Sequence, residues 1–109
     1  MRIQVRSKTW LEVDGKFIIG KHGIALLETI DKLGSIQQAA LQLGCSYKHT
    51  WGYLKNLECN AGVPILHTWH GGAARGGTRL TPQGRKLLQS YKRVQKAICT
   101  ALPKTVSLV

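Results

Sequence analysis

The sequence predicts a mainly α-helical domain with a small β component, of the α+β class, that folds as one unit over residues 1–109. Three observations carry this prediction. Apolar residues recur at helical spacing through the middle and the end of the chain, an Asp-Gly pair separates two apolar runs near its start, and a glycine-rich segment lies between two short apolar runs further on. A chain of 109 residues suits a single domain with a modest core.

The first expected element is a β-hairpin over residues 1–20. Apolar and polar residues alternate through this segment, as they do along strands. Asp14 and Gly15 lie between the apolar residues of 10–13 and those of 17–19. An Asp-Gly pair in that position is a strong signal for a two-residue hairpin turn, so the two runs are expected to pair.

Residues 21–60 are expected to form three helices. In the first of them, Ile24, Leu27 and Ile30 recur on one face. Gly34 follows this pattern, and a glycine just past the last periodic residue is typical of a helix end.

The next two helices are joined by a tight glycine turn. The apolar face of the earlier one is formed by Ile36, Ala39, Ala40 and Leu43. Ser35 precedes that helix as an N-cap and Gly44 follows it as a left-handed C-cap. Ser46 offers the N-cap of the later helix, which runs to about Cys59 and is striped by Tyr47, Trp51 and Leu54. This is the pattern of a helix-turn-helix, whose second helix presents its N-terminal polar face to the major groove of DNA.

We expect Trp51 and Leu54 to face the core of the domain, so neither is assigned to DNA.

Residues 64–81 predict a wing, a β-hairpin around a glycine-rich basic loop. A strand over 65–69 and a returning strand over 78–80 flank the loop. Glycine-rich loops also cradle nucleotide phosphates, but that use needs a Lys-Ser or Lys-Thr ending before a helix, and here the loop continues into Thr78 and Arg79. A solvent-exposed loop without contacts is the alternative to a wing.

The last predicted element is a long helix over residues 82–102. Thr81 is its expected N-cap and Pro82 its first residue. Its narrow apolar seam consists of Leu87, Tyr91, Val94, Ile98 and Leu102. The seam packs either on the domain's own core or on a partner helix, and the length of the helix favours a homodimer interface. Pro103 ends the helix, and the residues after it are expected to be loose.

The charge of the chain is strongly positive and unevenly placed. The formal net charge is +11, and all five acids lie within the first 58 residues. Such a field attracts phosphate backbones, although a soluble basic surface or an acidic protein partner would also satisfy it. The helix-turn-helix pattern favours double-stranded DNA as the partner.

The sequence indicates neither an enzyme nor a cofactor. No acid pairs with a histidine and a nucleophile in a catalytic constellation. The three cysteines lack the C-x-x-C spacing of zinc sites and are expected to be free thiols: Cys45, Cys59 and Cys99. Cys45 and His49, with His67 and His70, are of the types that a metal sensor uses, but polar contacts of the helix start explain them more simply. No metal and no small-molecule effector is expected.

No apolar run is long enough to cross a membrane, and no basic-then-apolar leader is visible. We therefore expect no membrane partner and a cytoplasmic location.

These motifs together resemble the N-terminal domain of LysR-type regulators. The matching strings are Ala39-Ala40, Leu43-Gly44, Ser46, Leu57-Glu58, Gly62-Val63-Pro64-Ile65 and Leu80-Thr81-x-x-Gly84. The DNA-binding domain of ModE-type molybdate-responsive regulators is a closer match, through Gly34-Ser35-Ile36, Ser46-Tyr47-Lys48, Trp51 and the glycine loop before Arg79-Leu80-Thr81-Pro82-x-Gly84. The resemblance covers residues 20–94 and implies a winged helix-turn-helix that binds DNA.

The resemblance has a limit at the end of the chain. ModE-type regulators carry C-terminal domains that bind molybdate, and a chain that stops after the long helix leaves no room for them. The resemblance therefore implies DNA binding without implying molybdate sensing.

We expect a homodimer that places two recognition helices on one face of DNA, at a palindromic site. The expected DNA contacts are Gln37, Gln38, Ser46, Tyr47, Lys48, His49, Thr50, Lys55, Arg75 and Arg79. Lys48 is expected to donate to guanine acceptors, Lys55 to reach phosphate, and Arg75 to enter a minor groove or follow the backbone.

Two other function classes stay open on the sequence. A winged helix-turn-helix can serve as a scaffold that holds a partner protein, because a fold does not fix a function. A basic domain of this kind can also pack DNA without regard to its sequence, although the Tyr-Lys-His start of the third helix is typical of a surface that distinguishes bases.

Overall fold

The computed structural model describes residues 1–71 and 76–109. Its elements in chain order are β1 (Arg2–Gln4), β2 (Trp10–Val13), β3 (Lys16–Gly20), α1 (Lys21–Leu33), α2 (Ile36–Gln42), α3 (Tyr47–Ala61), β4 (Leu66–Trp69), β5 (Gly77–Leu80), α4 (Pro82–Ala101) and β6 (Thr105–Ser107). Long helices and short antiparallel strand pairs confirm the predicted mainly helical α+β class.

Local signals set the helix boundaries where the sequence predicts them. Gly34 ends α1 with a φ of 70°, in the left-handed region that a glycine adopts without a Cβ clash. The Ser35 hydroxyl accepts a hydrogen bond from the Gln38 amide, and the Ser46 hydroxyl accepts one from the His49 amide, both at 3.1 Å. Both serine N-caps are therefore confirmed.

The core lies where α1 packs against β3, α2, β5 and α4, and α3 joins it through its packing on β3 and α2. Its largest fully buried side chains are Ile19, Leu27, Ile30 and Ile65. Ala39 and Ala40 of α2 are 0% and 1% exposed, so α2 meets its neighbours through methyl groups and approaches them closely.

The N-terminal hairpin is present but shorter than predicted. Strands β2 and β3 pair around Asp14 and Gly15, which both have positive φ, as the Asp-Gly turn requires. Strand β1 lies outside this hairpin and pairs with β6, so that Ile3 is opposite Val106. The expectation that the residues after Pro103 are loose is therefore wrong, because backbone hydrogen bonds to β1 order them.

The wing strands β4 and β5 form an antiparallel pair in which Leu66 lies opposite Leu80. The base of the wing is held at two points. One carboxylate oxygen of Glu58 in α3 accepts hydrogen bonds from the amides of Ile65 and Leu66, at 2.8 and 3.2 Å. On the other strand, the Thr78 amide donates a hydrogen bond to the carbonyl of Gly34, the C-cap of α1, at 2.9 Å.

Helix α4 begins as predicted, with the Thr81 hydroxyl accepting from the Gly84 amide at 3.0 Å. Two members of its apolar seam are used within the chain, which corrects their assignment to a dimer interface. Leu87 packs against the core, and Tyr91 is 5% exposed with its hydroxyl donating to the Thr9 carbonyl at 3.1 Å. The later seam residues are left open, with Val94 39% and Leu102 40% exposed and Ile98 half-buried.

In the part of the chain that the structure describes, no helix combines the length and the hydropathy needed to span a bilayer.

Candidate nucleic-acid interface

The start of α3 presents a polar, solvent-facing surface. Ser46, Tyr47, Lys48 and His49 are all exposed there. Because the N-cap keeps the Ser46 hydroxyl at the His49 amide, this first turn is held in helical geometry. Lys48 and His49 then line a shallow groove that continues along α3 to Asn56.

The structure corrects the expected face of α3 at two positions. Thr50, expected to contact DNA, is 3% exposed and belongs to the buried stripe that includes Leu54 and Leu57. Trp51, expected in the core, is 46% exposed, and the Lys55 ammonium lies 4.9 Å from its ring centroid. The buried stripe starts at Thr50, so the next residue is turned by about 100° towards solvent.

A cleft of about 470 Å³ separates α2 and α3 from the wing. Gln37, at the N-terminus of α2, lines one side of it, and Lys55 and the exposed Trp51 line the floor. Gln38, the neighbour of Gln37, is exposed beside the Ser35 N-cap. The amides of this helix start and the lysine side chain give the cleft positive potential, which suits phosphate oxygens.

The exposed face of the wing is built on Trp69. Its indole stacks on the His67 ring with centroids 5.9 Å apart, and the Arg79 guanidinium lies 5.7 Å from the indole centroid. Gly77 lies opposite Trp69 in the strand pair, and a Cβ at Gly77 would approach the indole to 2.6 Å. The absence of a side chain there lets the indole lie across the wing and support Arg79.

Three of the residues around the cleft were not identified as site residues from the sequence: Trp51, His67 and Trp69. Alternation in 65–69 is the signal that points to His67 and Trp69 sharing one face of a strand. Arg75, expected in the wing tip, lies outside the described residues.

The exposed charge on this surface is mainly positive. Lys48, Lys55 and Arg79 are exposed on it, and the nearest acid lining the cleft region is Glu58, whose carboxylate is engaged by backbone amides. Among the described residues, no group of three or more His, Cys, Asp or Glu side chains is placed to hold a metal ion. The surface is therefore equipped to bind polyanions through hydrogen bonds and point charges.

Comparison with known families assigns the chain to one of them. Residues 22–85 match the family described as bacterial regulatory helix-turn-helix protein, lysR family. The chain belongs to this family. The range matched in this LysR-type chain covers α1 from His22 onwards, α2, α3 and both described strands of the wing.

Named relatives narrow the LysR-type assignment towards the ModE group. The molybdenum-pterin-binding protein MopB of Rhodobacter capsulatus is 34% identical over 84 residues, which are 77% of this chain and 31% of the relative. The transcriptional regulator ModE of Haemophilus influenzae is 37% identical over 73 residues, 67% of this chain and 29% of the relative. The chain thus spans less than a third of the length of either relative.

Solved structures confirm the winged helix-turn-helix fold. The CbnR DBD–DNA complex superposes with a TM-score of 0.60 at 20% identity, covering 76% of this chain and 90% of that one. Streptococcus pneumoniae FabT in complex with DNA gives a TM-score of 0.55, also at 20% identity, over 79% of this chain and 64% of that one. Both likenesses concern the fold.

Proposed function

We propose that this LysR-type chain is the DNA-binding unit of a transcriptional regulator, and that it binds a palindromic double-stranded site as a homodimer. The observation that carries the proposal is the exposed Tyr47-Lys48-His49 turn at the start of α3, beside a basic wing. An exposed, N-capped helix start next to a basic hairpin matches the way winged helices enter a major groove. Such a regulator acts on chromosomal DNA in the cytoplasm.

Base recognition falls to the first turn of α3 in this proposal. Lys48 donates to the N7 and O6 acceptors of guanine, and Tyr47 and His49 contact neighbouring bases or phosphates. Ser46 contributes its hydroxyl proton, because its oxygen already accepts from the His49 amide.

Phosphate contacts hold the domain in register on both sides of the groove. Gln37 and Gln38 donate from the N-terminus of α2, Lys55 reaches across the cleft, and Arg79 projects from the wing over Trp69. Arg75, which lies outside the described residues, is proposed to enter the adjacent minor groove or follow the backbone.

The homodimer joins two copies through the distal half of α4. Val94, Ile98 and Leu102 are the seam residues that the chain's own core leaves open. A two-fold axis through this seam repeats the recognition helix, which is why the proposed site is a palindrome with half-sites one or more helical turns apart.

Two kinds of relative support the proposal. The ModE proteins of Haemophilus influenzae and Escherichia coli are described as transcriptional regulators, and two structures with the same fold hold DNA. The DNA-binding role is inferred here from these names together with the exposed face of α3.

The decisive experiment is a selection from random double-stranded DNA with the purified chain at about 150 mM salt, where non-specific phosphate binding is weak. We expect a palindromic motif, and we expect Lys48→Ala to reduce enrichment of that motif. Retention of DNA without any motif would indicate a packing protein. No retention would favour a protein partner for the same basic surface.

A further inference from the structure

A second cleft, of about 500 Å³, lies between the β2–β3 hairpin, the start of α1 and the middle of α3. We call it the aromatic cleft. Its walls are Trp10, Phe17 and Tyr53, and its floor includes Gly20 and Gly23. Trp10 and Phe17 are 47% and 48% exposed, so two large apolar side chains face solvent in one concave site. This volume lies in the range of small-molecule sites, and exposed aromatic surface of this kind marks a binding function.

The rim of the aromatic cleft is basic. Lys8, Lys21 and His22 line it, and no acid does. Glu12 does not line the cleft, and its carboxylate accepts a hydrogen bond from the Trp10 indole N–H at 2.8 Å. The first turn of α1 carries no acid, and its N-cap Gly20 supplies no side-chain cap. Charge complementarity therefore favours an anionic group and disfavours a cation.

One polar group points to a specific orientation of the ligand. The Tyr53 hydroxyl lies over Gly23, where an added Cβ would overlap it. Burial raises the pKa of Tyr53, so its phenol is a neutral donor at physiological pH. The ring also meets the His22 imidazole edge to face, at 6.3 Å between centroids.

We propose that the aromatic cleft binds a small planar aromatic molecule with one carboxylate. Its rings pack on Trp10 and Phe17, and its carboxylate lies at the rim near Lys21 and the Tyr53 hydroxyl. Tyr53 belongs to α3 and also borders the groove of Lys48 and His49, so an occupant of the cleft touches the helix that we propose reads DNA. Ligand binding itself does not depend on that function.

The test uses 2-naphthoate as the probe, titrated into the full chain and followed by ¹H–¹⁵N NMR. We expect saturable shifts at the Trp10 indole N–H and the Gly20 and Gly23 amides. The neutral isostere 2-naphthamide keeps the rings and loses the charge, and we expect it to bind about tenfold more weakly. The cation 2-naphthylmethylamine is expected to be weaker still.

Two matched lysine variants on α1 separate the cleft from general basic charge. Lys21→Gln should weaken 2-naphthoate binding and leave 2-naphthamide binding unchanged, whereas Lys32→Gln, at the other end of α1, should change neither. The proposal is overturned if 2-naphthoate at millimolar concentration causes no saturable shift, or if all three probes bind alike. It is also overturned if the shifts follow protein concentration alone, which would mean that a second copy of the chain covers the cleft.

Discussion

Gly84 is the point at which α4 touches the base of the wing. A Cβ built there would overlap the carbonyl oxygen of Ile65, a backbone atom that cannot rotate away. We expect Gly84→Ala to destabilise the chain by about 1–3 kcal/mol, because the strand that follows Pro64 must shift to admit one methyl group. Urea denaturation with an unchanged m-value would measure this.

Gly52 in α3 is the matched control. It also lies inside a helix, but a Cβ added there meets no atom within 4 Å. Gly52→Ala should therefore leave stability unchanged or raise it by up to about 1 kcal/mol, through helix propensity alone. If both variants behaved alike, the close approach of α4 to Ile65 would be disproved.

Replacing Lys48 or Arg79 by alanine is predicted to weaken DNA binding in different ways. Lys48→Ala should cost about 1–3 kcal/mol on the selected site and much less on scrambled DNA, because a base contact is lost. Arg79→Ala should weaken both DNAs alike, because the arginine meets phosphate. Fluorescence anisotropy gives the dissociation constants for the selected and the scrambled duplex. An equal loss of affinity for the two duplexes in Lys48→Ala would contradict the role of Lys48 in base recognition.

At the scale of elements, the wing depends on one side chain of α3. The Glu58 carboxylate accepts hydrogen bonds from the Ile65 and Leu66 amides at the start of β4, at 2.8 and 3.2 Å. Glu58→Gln removes the charge that strengthens these hydrogen bonds, so we expect a loss of about 1–3 kcal/mol and faster hydrogen exchange at the Ile65 and Leu66 amides.

Glu28→Gln is the control for this prediction. Glu28 pairs with Lys92 on the surface between α1 and α4, with both side chains about half exposed. Exposed ion pairs contribute about 0–1 kcal/mol, so exchange in the wing should not change. Equal effects of the two variants would show that Glu58 acts through general charge and does not anchor the wing.

The sequence was most reliable where one or two residues decide an element. Each of the predicted N-caps is present: Ser35, Ser46 and Thr81. In each case the hydroxyl accepts a hydrogen bond from the amide three residues later, a contact that depends only on local backbone geometry. The face of α3 was harder to predict. A threonine at position 50 is as compatible with burial as with DNA contact. The packing of α3 against β3 and α2 leaves Thr50 buried and Trp51 exposed.

The sequence-based prediction failed mainly for contacts between residues that are distant in the chain. Alternation marks residues 2–4 as a strand but does not say which strand they pair with, and β6 is about a hundred residues away. The apolar seam of α4 likewise does not say where the core stops. Tyr91 closes that core through a hydrogen bond to Thr9, a contact that no local pattern encodes.

For the whole molecule, shape limits where a dimer can form. The chain extends over 66 × 30 × 21 Å, much longer than it is wide. The distal part of α4 carries apolar residues that the core does not reach. We expect the wild-type chain to sediment as a dimer, with Val94, Ile98 and Leu102 at the contact.

Val94→Glu should turn that dimer into a monomer. A carboxylate buried without a partner at the centre of an apolar contact is unfavourable, so we expect the dimer dissociation constant to rise by more than about tenfold. Affinity for the palindromic site should fall with it, while circular dichroism stays unchanged because Val94 lies outside the core.

Gln89→Glu adds the same charge to an exposed position of the same helix and should change neither sedimentation nor DNA affinity beyond a small electrostatic loss. The comparison isolates the contribution of the apolar seam to dimerisation, because both variants lower the net charge equally. If Val94→Glu sediments as the wild type does while Gln89→Glu is also unaffected, two copies of the chain meet elsewhere. The two-fold repeat of the DNA site would then require a different axis.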